Sequence, residues 1–169
     1  MSDLRYNISG VKWRVVAQFS TILSRMGGCG LLTGEYFHAL DAKGRVFVPA
    51  KLRESLGEVF MLARSVDGCL SLYDMNEWQR LTDKLALLPD TQTRTIRRFL
   101  FTFAAETSPD SQGRISIPSG LREYAGLARD VAVLGVGDHA EIWAAEKWEA
   151  MKTGEDASNV EKMMRELGL

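Results

Sequence analysis

The chain repeats itself, and any fold proposed for it must be built from two copies of one unit. From Asp41 to Gly57 it reads D-A-K-G-R-V-F-V-P-A-K-L-R-E-S-L-G, and from Asp110 to Gly126 it reads D-S-Q-G-R-I-S-I-P-S-G-L-R-E-Y-A-G. Asp, Gly, Arg, Pro, Leu, Arg, Glu and Gly recur at a single offset of 69, eight identities in seventeen ungapped positions. Val46/Ile115 and Val48/Ile117 are conservative matches. Further on, Leu70–Tyr73 answers Ala140–Trp143, and Trp78 answers Trp148 at an offset of 70, so one residue has been inserted. The repeat is a whole structural unit of about seventy residues, and the chain is a tandem duplication.

Within each unit the local signals define short elements. Tyr36–Leu40 and Arg45–Val48 read as strands, with Asp41-Ala42-Lys43-Gly44 between them as a turn, which predicts a β-hairpin. Pro49 stops the strand and opens a short helix over Ala50–Leu56, and Gly57 ends it. Val59–Ala63 and Cys69–Tyr73 are predicted as two further strands joined by a turn at Asp67-Gly68. The second unit repeats the pattern. It has strands near Thr102–Glu106 and Arg114–Ile117, a helix over Pro118–Ala125, and strands near Val131–Leu134 and His139–Trp143.

Helices link and follow the units. Asp74 is a helix cap with Glu77 three residues on, and Trp78, Leu81, Leu85 and Leu88 recur at helical spacing. Pro89 breaks that helix, and Thr91–Phe101 reads as a second amphipathic one carrying Arg94, Arg97 and Arg98. Ala144 stands where the first unit has Asp74, so the helix over Ala145–Met151 should begin without a side-chain cap. The tail from Gly154 to Leu169 is acidic and weakly helical in character. The expected organisation is an extension over residues 1–33, a first unit over 34–80, linking helices over 81–101, a second unit over 102–151 and a tail over 152–169.

Composition narrows the function. Of 169 residues, 46% are hydrophobic and 25% charged, as in a soluble globular protein. No apolar run approaches the ~20 residues that cross a bilayer. Cys29 and Cys69 cannot staple a chain of this size and suggest a reducing compartment. With His38 and His139 the only histidines, little is left for metal or triad chemistry. The formal net charge of −1 argues against a nucleic-acid partner.

The two D-x-x-G-R turns are the strongest candidate site. A hairpin tip that projects from a small barrel into a DNA groove would place Arg45 and Arg114 to pair bidentately with guanine O6 and N7. Lys43 and Gln112 would add phosphate or base contacts, and Asp41 and Asp110 would orient the loop amides or the arginines. The same spacing also fits a purely structural turn closed by an Asp–Arg ion pair. Arg53 and Arg122, each followed by glutamate, read as a solvated, ion-paired helix face. Arg94, Arg97 and Arg98 read as a solvated or interface face, with phosphate contact as the alternative. Gly27-Gly28-Cys29-Gly30 lacks the Lys-Ser/Thr of a phosphate-binding loop. Asp138, His139 and Glu141 could be imagined as an acid–base set, but they read more simply as a polar strand face. Cys69 reads as a buried small apolar residue.

The repeated D-x-x-G-R-[VI]-x-[VI]-P with its following L-R-E resembles the MraZ family, a tandem pair of units similar to the AbrB and SpoVT DNA-binding domains. The stretch Gly34–Arg45 is similar to the start of that family, and the resemblance spans about Leu31 to Met151. It implies an α+β fold: two swapped-hairpin units forming a double-split β-barrel with flanking helices. It also implies a bacterial transcriptional regulator, usually a repressor, acting on the promoter of the division and cell-wall gene cluster. Members assemble as rings on short G-rich repeats of double-stranded DNA. The family's D-x-x-x-R residues fall on Asp41 and Arg45, and on Asp110 and Arg114. Gln112 occupies the place of Lys43, so the second tip is less basic.

The resulting expectation is a DNA-binding homo-oligomer of the cytoplasm and nucleoid. It would not be an enzyme, and would have no cofactor, metal, membrane or small-molecule substrate. The rival expectation is a ring-forming interaction module whose D-x-x-x-R turns are structural. A small hydrolase built on His139 is a remote third. Residues 1–30 depart from the family, which suggests an initiation site near Met26 or Leu31. The charge also divides: residues 1–33 sum to +3, 34–137 to zero and 138–169 to −4.

Overall fold

The computed structural model of the chain describes residues 30–153 and 156–168, and everything below concerns those residues. The expected extension, its initiation site and Cys29 lie outside them, apart from the last few residues of the extension. The elements in order are β1 (Leu32–Ala39), β2 (Arg45–Phe47), α1 (Ala50–Leu56), β3 (Phe60–Arg64), β4 (Leu70–Asp74), α2 (Met75–Ala86) and α3 (Asp90–Phe101). The second repeat follows with β5 (Ala105–Thr107), β6 (Arg114–Ser116), α4 (Ser119–Ala125), β7 (Asp130–Gly137), β8 (Ala140–Ala144), α5 (Ala145–Thr153) and α6 (Asp156–Leu167).

Local chemistry accounts for the helix ends. Gly57 closes α1 at φ 86°, and Gly126 closes α4 in the left-handed region at φ 67°. Asp74 caps α2 by accepting from the amides of Asn76 and Glu77 at 2.7 and 3.0 Å. The expected tail helix is present as the two-sided α6.

Strand pairing departs from the sequence reading. The expected hairpin of Tyr36–Leu40 with Arg45–Val48 does not form a ladder. Instead β1 pairs with β7, β5 pairs with β3, and β2 pairs with β6, all antiparallel. The two repeats are woven into one six-stranded sheet of order β1-β7-β8-β4-β3-β5 and one two-stranded sheet of β2 and β6. A turn fixes where the chain bends and not which strand its arms pair with; in β2–β6 the cross-repeat pairing sets the fully buried Val46 opposite the fully buried Ile115.

Registers reveal an internal two-fold. In the β2–β6 ladder, Val46 sits opposite Ile115, its own counterpart at offset 69. In the β4–β8 ladder, Ser71 sits opposite Glu141, its counterpart at offset 70. His38 opposite Val131 in β1–β7 repeats Thr107 opposite Phe60 in β5–β3. The order of the large sheet is the same read from either end once each strand is exchanged for its counterpart.

The core follows the same axis. Val46, Val48, Leu52, Phe60, Leu62, Leu70 and Leu72 pack with Ile115, Ile117, Leu121, Val131, Val133 and Ile142, all buried. Each such side chain removed from water contributes about 1.5–3 kcal/mol before entropy is counted. On the outer face Tyr73 meets Trp78 at 5.9 Å, and its counterpart pair Trp143 and Trp148 meets at 5.8 Å. The expected stripe on α2 is half realised: Trp78 and Leu85 are buried, whereas Leu88 is exposed.

Candidate functional site

The two D-x-x-G-R loops are built alike, from the backbone outward. The amide of Asp41 donates to the carbonyl of Arg45 at 2.9 Å, and Gly44 N–H donates to the carbonyl of Asp41 at 2.9 Å. Asp110 donates to Arg114 and Gly113 to Asp110 at 2.8 Å each. Gly44 and Gly113 take φ of 73° and 76°, a conformation that costs any side chain with a Cβ. Asp41 Oδ1 accepts from the amides of Lys43 and Arg45, and Asp110 Oδ1 from those of Gln112 and Arg114, all at 2.9 Å.

The second carboxylate oxygens hold the arginines. Asp41 Oδ2 accepts from Arg45 Nε at 2.8 Å and Nη2 at 2.7 Å. Asp110 Oδ2 accepts from Arg114 Nε at 3.0 Å and Nη2 at 2.8 Å. Hydrogen bonds from the Arg45 side chain and amide hold the Asp41 carboxyl down at about 2. For Asp110 the Arg114 amide and then its side chain do the same, again to about 2. Both carboxylates are therefore ionised at neutral pH. Each pair uses Nε and one Nη of its arginine; Arg114 keeps the other Nη as a donor, whereas Arg45 turns it toward Asp110.

The fold brings the loops together. Arg45 Nη1 reaches Asp110 Oδ2 at 3.5 Å, so the tip of one repeat touches that of the other. The backbone links them too: Val48 N–H donates to Gly113 O, and Ile117 N–H to Gly44 O, both at 2.9 Å. Lys43 and Gln112 are exposed at the tips. All six residues expected from sequence thus lie on one pair of adjoining loops. The sequence reading had the Asp–Arg ion pair as the alternative to a DNA-reading arginine; the geometry contains the pair.

Two arginines at this site were assigned otherwise by sequence. Arg53 and Arg122 are half-buried and form no ion pair with Glu54 or Glu123. Neighbouring residues on a helix point about 100° apart, so an adjacent glutamate is not a partner. Each guanidinium instead lies on the loop glycine of the other repeat. A Cβ built on Gly44 would lie 2.7 Å from Arg122 Cζ, and one on Gly113 would lie 3.0 Å from Arg53 Cζ. The usable signal was the L-R-E identity at the same place in both repeats.

The other candidates separate from this site. Arg97 pairs with Asp90 at 3.1 Å, and Arg94 and Arg98 are exposed on α3. His139 stacks on Tyr73 at 4.9 Å and bonds Asp138 at 2.7 Å, with Glu141 at 3.5 Å. Burial opposes its charge, but Asp138 and Glu141 outweigh it and raise its pKa to about 9. An imidazolium with a pKa of about 9 makes a poor general base at neutral pH. Cys69 is buried, and burial pushes its thiol up to about 12. Among the described residues, no three His, Cys, Asp or Glu side chains gather as a metal site, and no helix is long and apolar enough to cross a membrane.

Comparison with known proteins agrees with the duplication. The family described as "MraZ protein, putative antitoxin-like" matches residues 31–99 and again 100–168. A protein of Heliobacterium modesticaldum named transcriptional regulator MraZ is 50% identical over 120 residues, which are 70% of this chain and 84% of that one. Its namesake in Acetivibrio thermocellus is 47% identical over 140 residues, 80% of this chain and 98% of the relative. That of Clostridium beijerinckii is 44% identical over 142 residues, 82% of this chain and all of the relative. With the family's unit found twice in tandem and relatives matched over nearly their whole length, the chain belongs to the MraZ family.

Proposed function

We propose that this chain is a transcriptional regulator that binds duplex DNA through the paired loops 41–45 and 110–114. The observation that carries the reading is the apposition of the loops, bridged by Arg45 and Asp110 at 3.5 Å. The two loops carry three basic side chains, Lys43, Arg45 and Arg114, against two acidic ones, Asp41 and Asp110. Arg45 and Arg114 read guanine edges with the donors their carboxylates leave free. Asp41 and Asp110 orient them, and Lys43 and Gln112 contact phosphate or neighbouring bases. On this reading the chain acts as a regulator and not as an enzyme.

The relatives named as transcriptional regulators support the coarse function. The finer reading is a repressor of the division and cell-wall gene cluster promoter. It would act in the cytoplasm at the nucleoid, as a homo-oligomeric ring on short G-rich repeats. One pair of loops offers few contacts, and a ring engages successive repeats together. The interleaved sheets support a swapped-hairpin, double-split barrel for each such pair of units.

The test is a gel shift with the DNA upstream of the protein's own coding region against scrambled DNA. Arg45→Ala should cost about 1–3 kcal/mol per specific site and relax base preference. Binding as tight as the parent's would refute the readout. The Asp–Arg pairs within each loop favour a second reading, a ring-forming interaction module with structural turns. On that reading neither DNA would shift, and Arg45→Ala would lower thermal stability instead.

A further inference from the structure

We infer that Arg53 and Arg122 are the positioning residues of the two loops, each acting on the loop of the other repeat; the inference rests on the DNA-binding reading above. Arg122, on α4 of the second repeat, lies across Gly44 of the first, with Cζ, Nη1 and Nε 2.7, 2.8 and 2.9 Å from where a Cβ would stand. Arg53, on α1 of the first repeat, lies across Gly113 of the second, with Cζ, Nε and Nη2 at 3.0 Å. Only glycine leaves room for a planar guanidinium so close to the backbone. Residues of each loop therefore rest on a surface supplied from outside their own repeat.

The two braces are anchored differently. Arg53 Nε donates to Val48 O at 2.9 Å, and Val48 N–H donates to Gly113 O at 2.9 Å. A closed path thus runs from Arg53 through Val48 to the glycine that Arg53 covers. Its guanidinium also lies 5.9 Å from the Phe47 ring. Arg122 Nε is buried and has no hydrogen-bond partner among the described residues. Arg122 thus braces the first loop, which carries Lys43, without a hydrogen bond from its Nε, whereas Arg53 adds such a bond to its packing on the second. A base-reading arginine needs its loop held to well under an ångström, and these contacts supply that restraint.

A crossed experiment tests the assignment. Amide hydrogen exchange is measured on the intact parent, Arg122→Gln, Arg53→Gln and Arg122→Lys. Arg122→Gln should speed exchange at Lys43 and Arg45, in the repeat that was not altered, and Arg53→Gln at Gln112 and Arg114. Both should weaken binding to the upstream DNA at least about tenfold and leave binding to scrambled DNA and the salt dependence within about twofold. Arg122→Lys keeps the charge but not the plane, so it should not restore specific binding. Three results overturn the assignment: exchange faster only in the altered repeat, exchange unchanged, or specific and scrambled binding falling together with a shallower salt dependence that Arg122→Lys restores. The last would make Arg122 a phosphate contact. The exchange measurement needs no DNA, and Arg45→Ala on the same DNA tests the reading itself, so the two failures are told apart. A variant that does not fold is replaced by Arg122→Met, which keeps the apolar stem but lacks the planar guanidinium that lies on Gly44 and should give the same crossed exchange.

Discussion

Gly44→Ala should destabilise the protein by more than its backbone angle explains, and a matched control isolates the excess. Gly44 and Gly68 have nearly the same φ, 73° and 77°. An alanine in that region is disfavoured by about 1–2 kcal/mol. Some of this is offset, by about 0.4–1 kcal/mol, because alanine also restricts the unfolded chain. The net cost at Gly68, whose Cβ would meet nothing within 4 Å, is then roughly 0.5–1.5 kcal/mol. At Gly44 the new Cβ would lie 2.7 Å from Arg122 Cζ, well inside contact distance. The guanidinium, the far end of a flexible side chain, must move about 1 Å, which adds about 1 kcal/mol, the low end of the overpacking range. Gly44→Ala should therefore cost roughly 1.5–2.5 kcal/mol.

Thermal unfolding followed by circular dichroism reads the difference, at about 2–4 °C per kcal/mol for a chain of this length. Gly44→Ala should melt a few degrees below Gly68→Ala. In an Arg122→Ala background the two substitutions should cost the same, because the obstructing group is gone. Equal costs in the parent background would refute the reasoning, since they would mean that Arg122 moves aside freely and braces nothing.

Other outcomes follow from single sites. The folded pKa of His139, about 9, lies above its ordinary 6.5, so its stabilisation is complete below pH 6.5 and lost as pH rises through 9. Thermal midpoints should fall over that range by roughly 1–2 kcal/mol equivalent, after solvent screening, and His139→Gln should flatten the profile. Asp74→Ala removes the acceptor of two amides at the start of α2 and should cost about 1–2 kcal/mol by urea unfolding. In a Cys29→Ser background, Cys69 should resist iodoacetamide at mildly alkaline pH and react once the chain unfolds, because burial holds its thiol up at about 12.

Helices were legible because their signals are local. Ala50–Leu56 follows from Pro49 and Gly57, and the start of α2 from Asp74. Strand positions were legible to within one to three residues for the short strands, but strand partners were not. β1 begins at Leu32, four residues before the expected strand, because its first residues pair with the far end of β7 near Gly137. Nothing near Leu32 encodes that. The hairpin expectation failed for the same reason, since a turn chemistry that suits a hairpin also suits a loop whose arms leave for different sheets. At the site, the residues of the loops were legible from the repeated motif. Their bracing was not, because Arg53 and Arg122 lie 60 and 78 residues from the glycines they cover, and the adjacent glutamates offered a nearer but geometrically wrong partner.

The net charge of −1 looked like an objection to a nucleic-acid partner, and the geometry shows why a sum is the wrong quantity. Asp41 and Asp110 stay ionised at neutral pH, but each is matched by an arginine within 3.0 Å. Lys43, exposed at its tip, is left without a carboxylate partner among the described residues, so the paired loops carry a positive excess. A duplex laid against them feels charges within roughly a Debye length, about 8 Å at physiological salt. The whole-chain figure also counts residues that need not share that distance, such as residues 138–169, whose net charge is −4. Salt dependence reads the face directly, because each phosphate neutralised releases counterions in proportion. A protein that bound DNA through this face would show a steep salt slope at a net charge near zero. One using the loops only as structural turns would show none.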